Sequence, residues 1–267
     1  MRGIDMPNSV APLLPARSAK PRTVGLSVMI DGGLPTALFT DIAESFHPHI
    51  DFVKFGWGTS IVTPQISRKI DVARSHDIGF YFGGSLFEKF VLQNRLDDFK
   101  RFCQGHGASH VEVSNGTVDI SDDRKAEYVA ELSRDFHVVS EVGLKDQVKS
   151  ELMAPVLWIK AITADLAAGA GLVTLETRES GRGGLCRPNG ELRFGLVEEI
   201  LTSGVDLTKL IFEAPTTTLQ EYFIKRVGPD VNFGNVAAED VLGLETLRLG
   251  LRSDTLRELD PTIESKE

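Results

Sequence analysis

Cysteine is nearly missing from this chain. Two thiols, Cys103 and Cys186, stand among 267 residues. They are far apart and show no CxxC spacing, so the favoured reading is a pair of buried, idle thiols in a reducing, cytoplasmic compartment. A single disulfide between them is the lesser alternative. Long apolar runs are also missing. The best candidate, AITADLAAGAGLVTLE, is broken by Asp165 and by glycines, which leaves nothing able to span a membrane. Basic charge is in deficit: 29 Lys and Arg against 38 Asp and Glu give a net charge of −9. Nucleic-acid binding needs a basic face and is excluded. A small anionic substrate is not excluded, because a local basic pocket can sit in an acidic protein. The phosphate-binding pattern GxGxxG is absent after the first strand, where the chain reads Asp31-Gly32-Gly33-Leu34. That counts against an open, doubly wound sheet.

What is present is ordinary in bulk and unusual in pattern. Apolar residues make up 42 % and charged residues 25 %, enough to bury a full core. Residues 1–22 carry Pro7, Pro12, Pro15 and Pro21 with Arg17, Lys20 and Arg22. They lack the apolar core of a secretory signal and read as a flexible arm, disordered or docking, with a transit peptide as the weaker reading. From residue 23 to 256 short β-branched or aromatic runs alternate with helical patterns, and 257–267 reads as a tail. The expected strands are Thr23–Ile30, Phe52–Phe55, Gly79–Phe82, His110–Val113, Val138–Val142, Leu172–Leu175, Leu210–Phe212 and Val231–Phe233. Eight strands separated by helices demand a parallel sheet, and about 250 residues suit a single (β/α)8 TIM barrel.

Most of these runs stop at a charge: Asp31, Lys54, Glu112, Glu141, Glu176 and Glu213. In a parallel barrel all strand C-termini open on one face, where active sites are built. The six are therefore expected around one mouth. Parity supports inward placement, since Lys54 lies between Val53 and Phe55, and Glu176 shares a face with Thr174. Clustered carboxylates suit a hard divalent cation, Mg2+, with Glu112, Glu141 and Glu176 as the expected ligands. Two glycine-rich segments are candidates for phosphate: Gly83-Gly84-Ser85 entering a helix, and Gly234-Asn235 after strand 8. The segment Glu176-Thr177-Arg178-Glu179-Ser180-Gly181-Arg182 adds two guanidinium groups, Arg178 and Arg182, suited to a phosphate or carboxylate.

Several longer segments carry a family resemblance. DFVKFGWGTS (51–60), GGSLFE (83–88), SEVG (140–143), ESGRG (179–183), IFEAP (211–215), FIKR (223–226) and LETLRLGLRSDT (244–255) resemble the phosphosulfolactate synthase family. The resemblance runs from about residue 23 to 256. It implies a (β/α)8 barrel and a carbon–sulfur lyase that adds sulfite to phosphoenolpyruvate with Mg2+. The product would be 2-phospho-3-sulfolactate, an early intermediate towards coenzyme M. It also implies a general acid just after strand 5, matched here by Lys145, whose pKa is expected to be lowered by neighbouring cations. Lys54 and Glu213 complete the candidate catalytic set, and a homo-oligomer is expected. The chain departs from the family pattern at Gly32, Asn115, Leu144 and Thr216, losing two cations and one carboxylate. Two alternatives therefore stand beside the synthase: a diverged barrel enzyme for another enolisable phospho- or carboxylate substrate, and a non-catalytic barrel like the plant heat-stress proteins of the same superfamily.

Overall fold

Every strand reads as a short run of branched or aromatic residues, and every intervening helix has an apolar stripe. Such elements can bury their faces only by stacking helices around a sheet. The computed structural model describes residue 10 and residues 13–262, and it has this arrangement. The chain order is β1 (Ser27–Asp31), α1 (Thr36–Phe46), β2 (Phe52–Phe55), α2 (Thr59–Val62), α3 (Ile66–Ser75), β3 (Gly79–Phe82), α4 (Gly84–Val91), α5 (Leu96–Gly105) and β4 (His110–Val113). It continues through α6 (Asp122–Leu132), β5 (His137–Val142), α7 (Gln147–Leu152), α8 (Pro155–Ala168), β6 (Ala170–Leu175), α9 (Phe194–Leu201), β7 (Leu210–Glu213), α10 (Thr217–Val227), β8 (Asn232–Val236) and α11 (Val241–Arg248). The eight strands form one sheet in the order β3-β2-β1-β8-β7-β6-β5-β4, and every registered pair is parallel. This is a (β/α)8 barrel whose seam lies between β3 and β4.

Helix ends follow local chemistry. Ser121 accepts the Arg124 N–H at the start of α6, Asp146 accepts the Lys149 N–H at α7, and Thr216 accepts the Leu219 N–H at α10. Pro155 opens α8 and Gly169, at φ 111°, closes it. The helix α6 stops at Leu132, and α11 is preceded by a 3-10 turn over Ala238–Asp240.

The hydrophobic core has two unequal layers. A large outer one lies between strands and helices and includes Phe39, Phe55, Val111, Trp158, Val173, Phe212 and Phe223. A small inner one, Val28, Tyr81, Val139 and Ile211 with Phe52 and Leu172 against it, fills the barrel interior. That inner plug seals the lower lumen and leaves the C-terminal end of the barrel to polar side chains.

Residues Arg17 to Arg22 of the expected arm bind the opposite end of the barrel. Arg17 pairs with Asp230 and Glu245, Lys20 donates to the carbonyls of His47 and Ile50, and Arg22 pairs with Asp51. Residues 1–9, 11 and 12 of the expected arm lie outside the described residues, as do 263–267 of the tail. Cys103 and Cys186 are free and buried, and burial pushes their thiols up to about 12 and about 11. Among the described residues, no helix is long and apolar enough to cross a membrane.

Candidate active site

Ladder register sorts the charged strand ends. Lys54 is level with Ile30 of β1 and Tyr81 of β3; Glu141 is level with Thr174; Glu213 is level with Gly234. These are inward positions. Asp31 is level with Phe55, a residue of the outer core, and shares its outward parity. Asp31 therefore does not face the mouth, contrary to the sequence expectation. Its Oδ2 accepts from Lys69 Nζ of α3 at 2.5 Å, and its Oδ1 accepts the N–H groups of Gly33 and Leu34 at 2.8 Å. The other five strand-end charges converge on one cavity, shared with Lys145, Ile30, Trp57, Gly84, Ser85, Glu179 and Asn235.

Lys54 is the hub. Its ammonium lies 2.9 Å from Glu112, 3.2 Å from Glu213 and 3.3 Å from Glu141. Lys145 approaches Glu141 from the rim, also at 3.3 Å. Four carboxylates thus face two ammonium groups in a water-poor space, where uncompensated charge is costly. Protons absorb the surplus. Burial drives Glu176 well above the usual carboxylate range, with Glu141 and Glu213 adding to it, and both effects favour its protonated form. Burial likewise lifts Glu213 to about 7 against the pull of Lys54. Glu141 goes the other way: burial opposes its ionisation, but Lys145 and Lys54 outweigh it and hold the carboxyl at about 2. Lys145 departs from its expectation. Burial would lower it, but Glu141 and Glu176 raise it above an ordinary lysine. The neighbours that decide its state are carboxylates, which a reading based on family cations did not place there.

Glu141, Glu176 and Glu213 offer oxygens that all lie within 4.8 Å of one another. Asn235 adds a buried Oδ1 without a hydrogen-bond partner on the same cavity. A hard cation that replaces the Glu176 proton fits this oxygen-only set. The set differs by one member from the sequence expectation. Glu112 instead accepts the backbone N–H of Gly84 and pairs with Lys54, while Glu213, expected as a catalytic group, joins the cluster.

The remaining expected residues divide. Gly84 places its N–H on Glu112, so this helix start already holds a carboxylate; Ser85 Oγ lies 3.5 Å from Lys145 Nζ. Gly234 and Asn235 lie inside β8 rather than in a turn after it. Between Ser27/Met29 of β1 and Phe233/Val236 of β8 the register slips by one residue, and Asn235, at φ 52°, takes up the slack. A bulge of this kind re-aims a side chain, here towards the mouth. Arg178 is half-buried and lines a neighbouring cleft of about 760 Å³ with Asn115, Lys145 and Lys149. Arg182 is exposed and is not brought to the carboxylates.

Close approach around Glu176 depends on glycine. A Cβ on Gly184, at φ 64°, would stand 1.9 Å from the Glu176 carbonyl oxygen; one on Gly143, at φ 131°, would meet Glu176 Cβ at 2.6 Å and Trp158 at 2.7 Å. Sequence reasoning missed the groups that brace the mouth from behind. Lys125 of α6 donates to the Glu141 carbonyl at 2.9 Å and pairs with Asp165 of α8 at 2.8 Å. Glu88 accepts from Ser114 Oγ and from the N–H groups of Thr117 and Val118. It missed Trp57 as well, although an aromatic between two glycines directly after a strand is a legible signal. Trp57 sits at φ 50°, ψ 24°, and is 53 % exposed at the cavity rim. A left-handed non-glycine residue costs about 1–3 kcal/mol and is concentrated at functional sites.

The family model described as (2R)-phospho-3-sulfolactate synthase (ComA) matches residues 15–254. The chain is 47 % identical over 242 residues to a phosphosulfolactate synthase of Bacillus subtilis (strain 168), covering 91 % of this chain and 96 % of that one. It is 39 % identical to the phosphosulfolactate synthase of Methanothermobacter thermautotrophicus, over 91 % of this chain and 96 % of the relative. A more distant relative is the protein HEAT-STRESS-ASSOCIATED 32 of Arabidopsis thaliana, 22 % identical over 87 % of this chain and 88 % of its own length. Among solved structures, 3-hexulose-6-phosphate synthase superposes with a TM-score of 0.53 at 16 % identity, covering 84 % of this chain and 97 % of its own, a likeness of fold alone. With a family match over most of the chain and relatives that align along nearly their whole length, this protein belongs to the phosphosulfolactate synthase family.

Proposed function

We propose that this protein is a carbon–sulfur lyase that adds sulfite to phosphoenolpyruvate, with Mg2+, to give 2-phospho-3-sulfolactate. The observation that carries the reading is the oxygen cluster of Glu141, Glu176 and Glu213 with Lys54 and Lys145 against it, in a chain whose relatives bear the synthase name. In the reaction the sulfur lone pair attacks C3, and the C2=C3 electrons move to C2 and the carboxylate. A proton then reaches C2, and the phosphate ester is retained. Glu141, Glu176 and Glu213 would hold Mg2+, which would stabilise the negative charge that develops on the substrate carboxylate.

The chain's own groups fill the other roles. Lys54 offsets the charge of Glu112, Glu141 and Glu213. Arg178 and Lys149 line the adjoining cleft and suit a phosphate group. Lys145 lines both cavities. In phosphoenolpyruvate C2 is the atom that carries both the carboxylate and the phosphate ester, so an ammonium between the two subsites is placed to protonate it. The raised pKa keeps Lys145 charged, and the acceptor is a strongly basic carbanion.

The test is direct. Purified protein is incubated with sulfite, phosphoenolpyruvate and Mg2+, and the products are read by phosphorus NMR and mass spectrometry. A new phosphate ester with the mass of the sulfite adduct, lost on chelation, is expected. Intact phosphoenolpyruvate over a range of Mg2+ concentrations refutes the reading. One observation favours the second reading, a diverged enolisable substrate: Trp57 fills the space over Gly32, where the family pattern places a lysine.

A further inference from the structure

Among the described residues, Trp57 is the one large aromatic side chain on the rim of the carboxylate cavity, and only Ile30 shares its apolar character there. The rest of the lining is Lys, Glu, Asn, Ser and Gly. Its position is specific. The indole lies on the backbone of Gly32, where a Cβ would fall 2.2 Å from Trp57 Cζ3 and 2.9 Å from Cη2. Any other residue at position 32 would displace the ring. Gly56 and Gly58 flank it, and its own backbone is left-handed at φ 50°. A ring held this way by the loops after β1 and β2, yet half in solvent, has a face available for a ligand.

We propose that Trp57 and Ile30 form the apolar wall that receives the carbon skeleton of a small anionic substrate, making Trp57 a specificity-determining residue. An enol phosphate is charged at its carboxylate and phosphate and apolar only along C2=C3. The cavity lining offers both kinds of group: carboxylates and ammonium groups, and beside them an indole and an isoleucine. The ring limits the size of the group at C3, and Gly32 is the residue that gives it room. This wall rests on the barrel mouth being the substrate site, as proposed above.

Fluorescence tests it. The chain has two tryptophans, and Trp158 is fully buried, so emission accessible to acrylamide belongs to Trp57. Quenching and the melting temperature are measured on the same protein with Mg2+, with and without phosphoenolpyruvate. A rise in melting temperature together with a severalfold fall in quenching is the expected result. A rise in melting temperature with unchanged quenching overturns the wall and leaves the proposed function standing. No rise and no sulfite adduct overturn both. As a second measurement, Trp57→Ala is expected to raise KM for phosphoenolpyruvate about tenfold, with a smaller effect on kcat, unchanged Mg2+ affinity and Trp57→Phe intermediate. Gly32→Ala, which pushes the indole aside, is expected to reproduce part of that rise. A Trp57→Ala enzyme with the wild-type KM overturns the proposal.

Discussion

Replacing Lys54 with Met keeps the length of the buried stem and removes the one charge that three carboxylates share. The lysine nitrogen lies 2.9, 3.2 and 3.3 Å from Glu112, Glu213 and Glu141. At an effective dielectric constant of about 20, each contact is worth about 5 kcal/mol before any cost is counted. Desolvation of the four ions and repulsion among the carboxylates offset most of that gross attraction. Removing one partner of a buried ionic cluster leaves a net loss of about 3–5 kcal/mol. For a chain of this size that corresponds to a fall in melting temperature of about 6–10 °C.

The sign of the pH dependence follows from the acids left behind. Lys54 is held well above its ordinary pKa by Glu112, Glu213 and Glu141, although burial acts against it, so its contribution persists through the neutral range and is lost only at high pH. Without it, Glu112 and Glu213, already raised by burial, rise further. A carboxyl whose folded pKa exceeds its unfolded value costs little below the unfolded value and progressively more above it, until the folded pKa is passed. The deficit of Lys54→Met is therefore smallest below about pH 4 and grows through the neutral range, until Lys54 itself loses its proton at high pH. Added Mg2+ should restore part of it by supplying the missing positive charge. Circular-dichroism melts of both proteins across pH, with and without Mg2+, read all three effects. An equal deficit at acid and neutral pH, or none, would refute the account of Lys54 as the neutralising hub.

Lys145→Ala is expected to lower turnover by about 10²- to 10⁴-fold, the range for a positioned proton donor; stopped assays on the adduct measure it, and near-wild-type turnover removes Lys145 from the chemistry. Mg2+ binding should release a proton, because burial and the neighbouring Glu141 and Glu213 favour the protonated form of Glu176 in the metal-free site. Calorimetry in two buffers of different ionisation enthalpy counts that proton, and Glu176→Gln should bind Mg2+ more weakly without releasing it. A Glu176→Gln protein with unchanged metal affinity would break the ligand assignment.

Much of the architecture was legible because strands and helices announce themselves locally. Phe52–Phe55, Gly79–Phe82 and His110–Val113 fall where branched and aromatic runs end in glycine or charge. β8 was the exception: Gly234 looked like a terminator, and only pairing with β7 and the bulge against β1 carry the strand through it. Parity along a strand read Lys54 and Glu176 as inward, where they lie. It gave no sign for Asp31, since Val28, Met29 and Ile30 before it are all apolar and mark neither face as polar.

The sequence by itself determined the alternation of eight strands and their helices, the charged strand ends and the family. These follow from residue order, because periodicity and propensity act over a few neighbours. Tertiary structure alone decided which charges meet. The stagger of parallel strands set Lys54, Glu112, Glu141 and Glu213 around one point and turned Asp31 away to Lys69. It also decided the charge state. Lys145 is raised and Glu141 lowered because of partners that are close in space, and burial lifts Glu176 for want of water. Coulomb energy depends on distance and on the surrounding dielectric, and neither quantity exists until the barrel has closed.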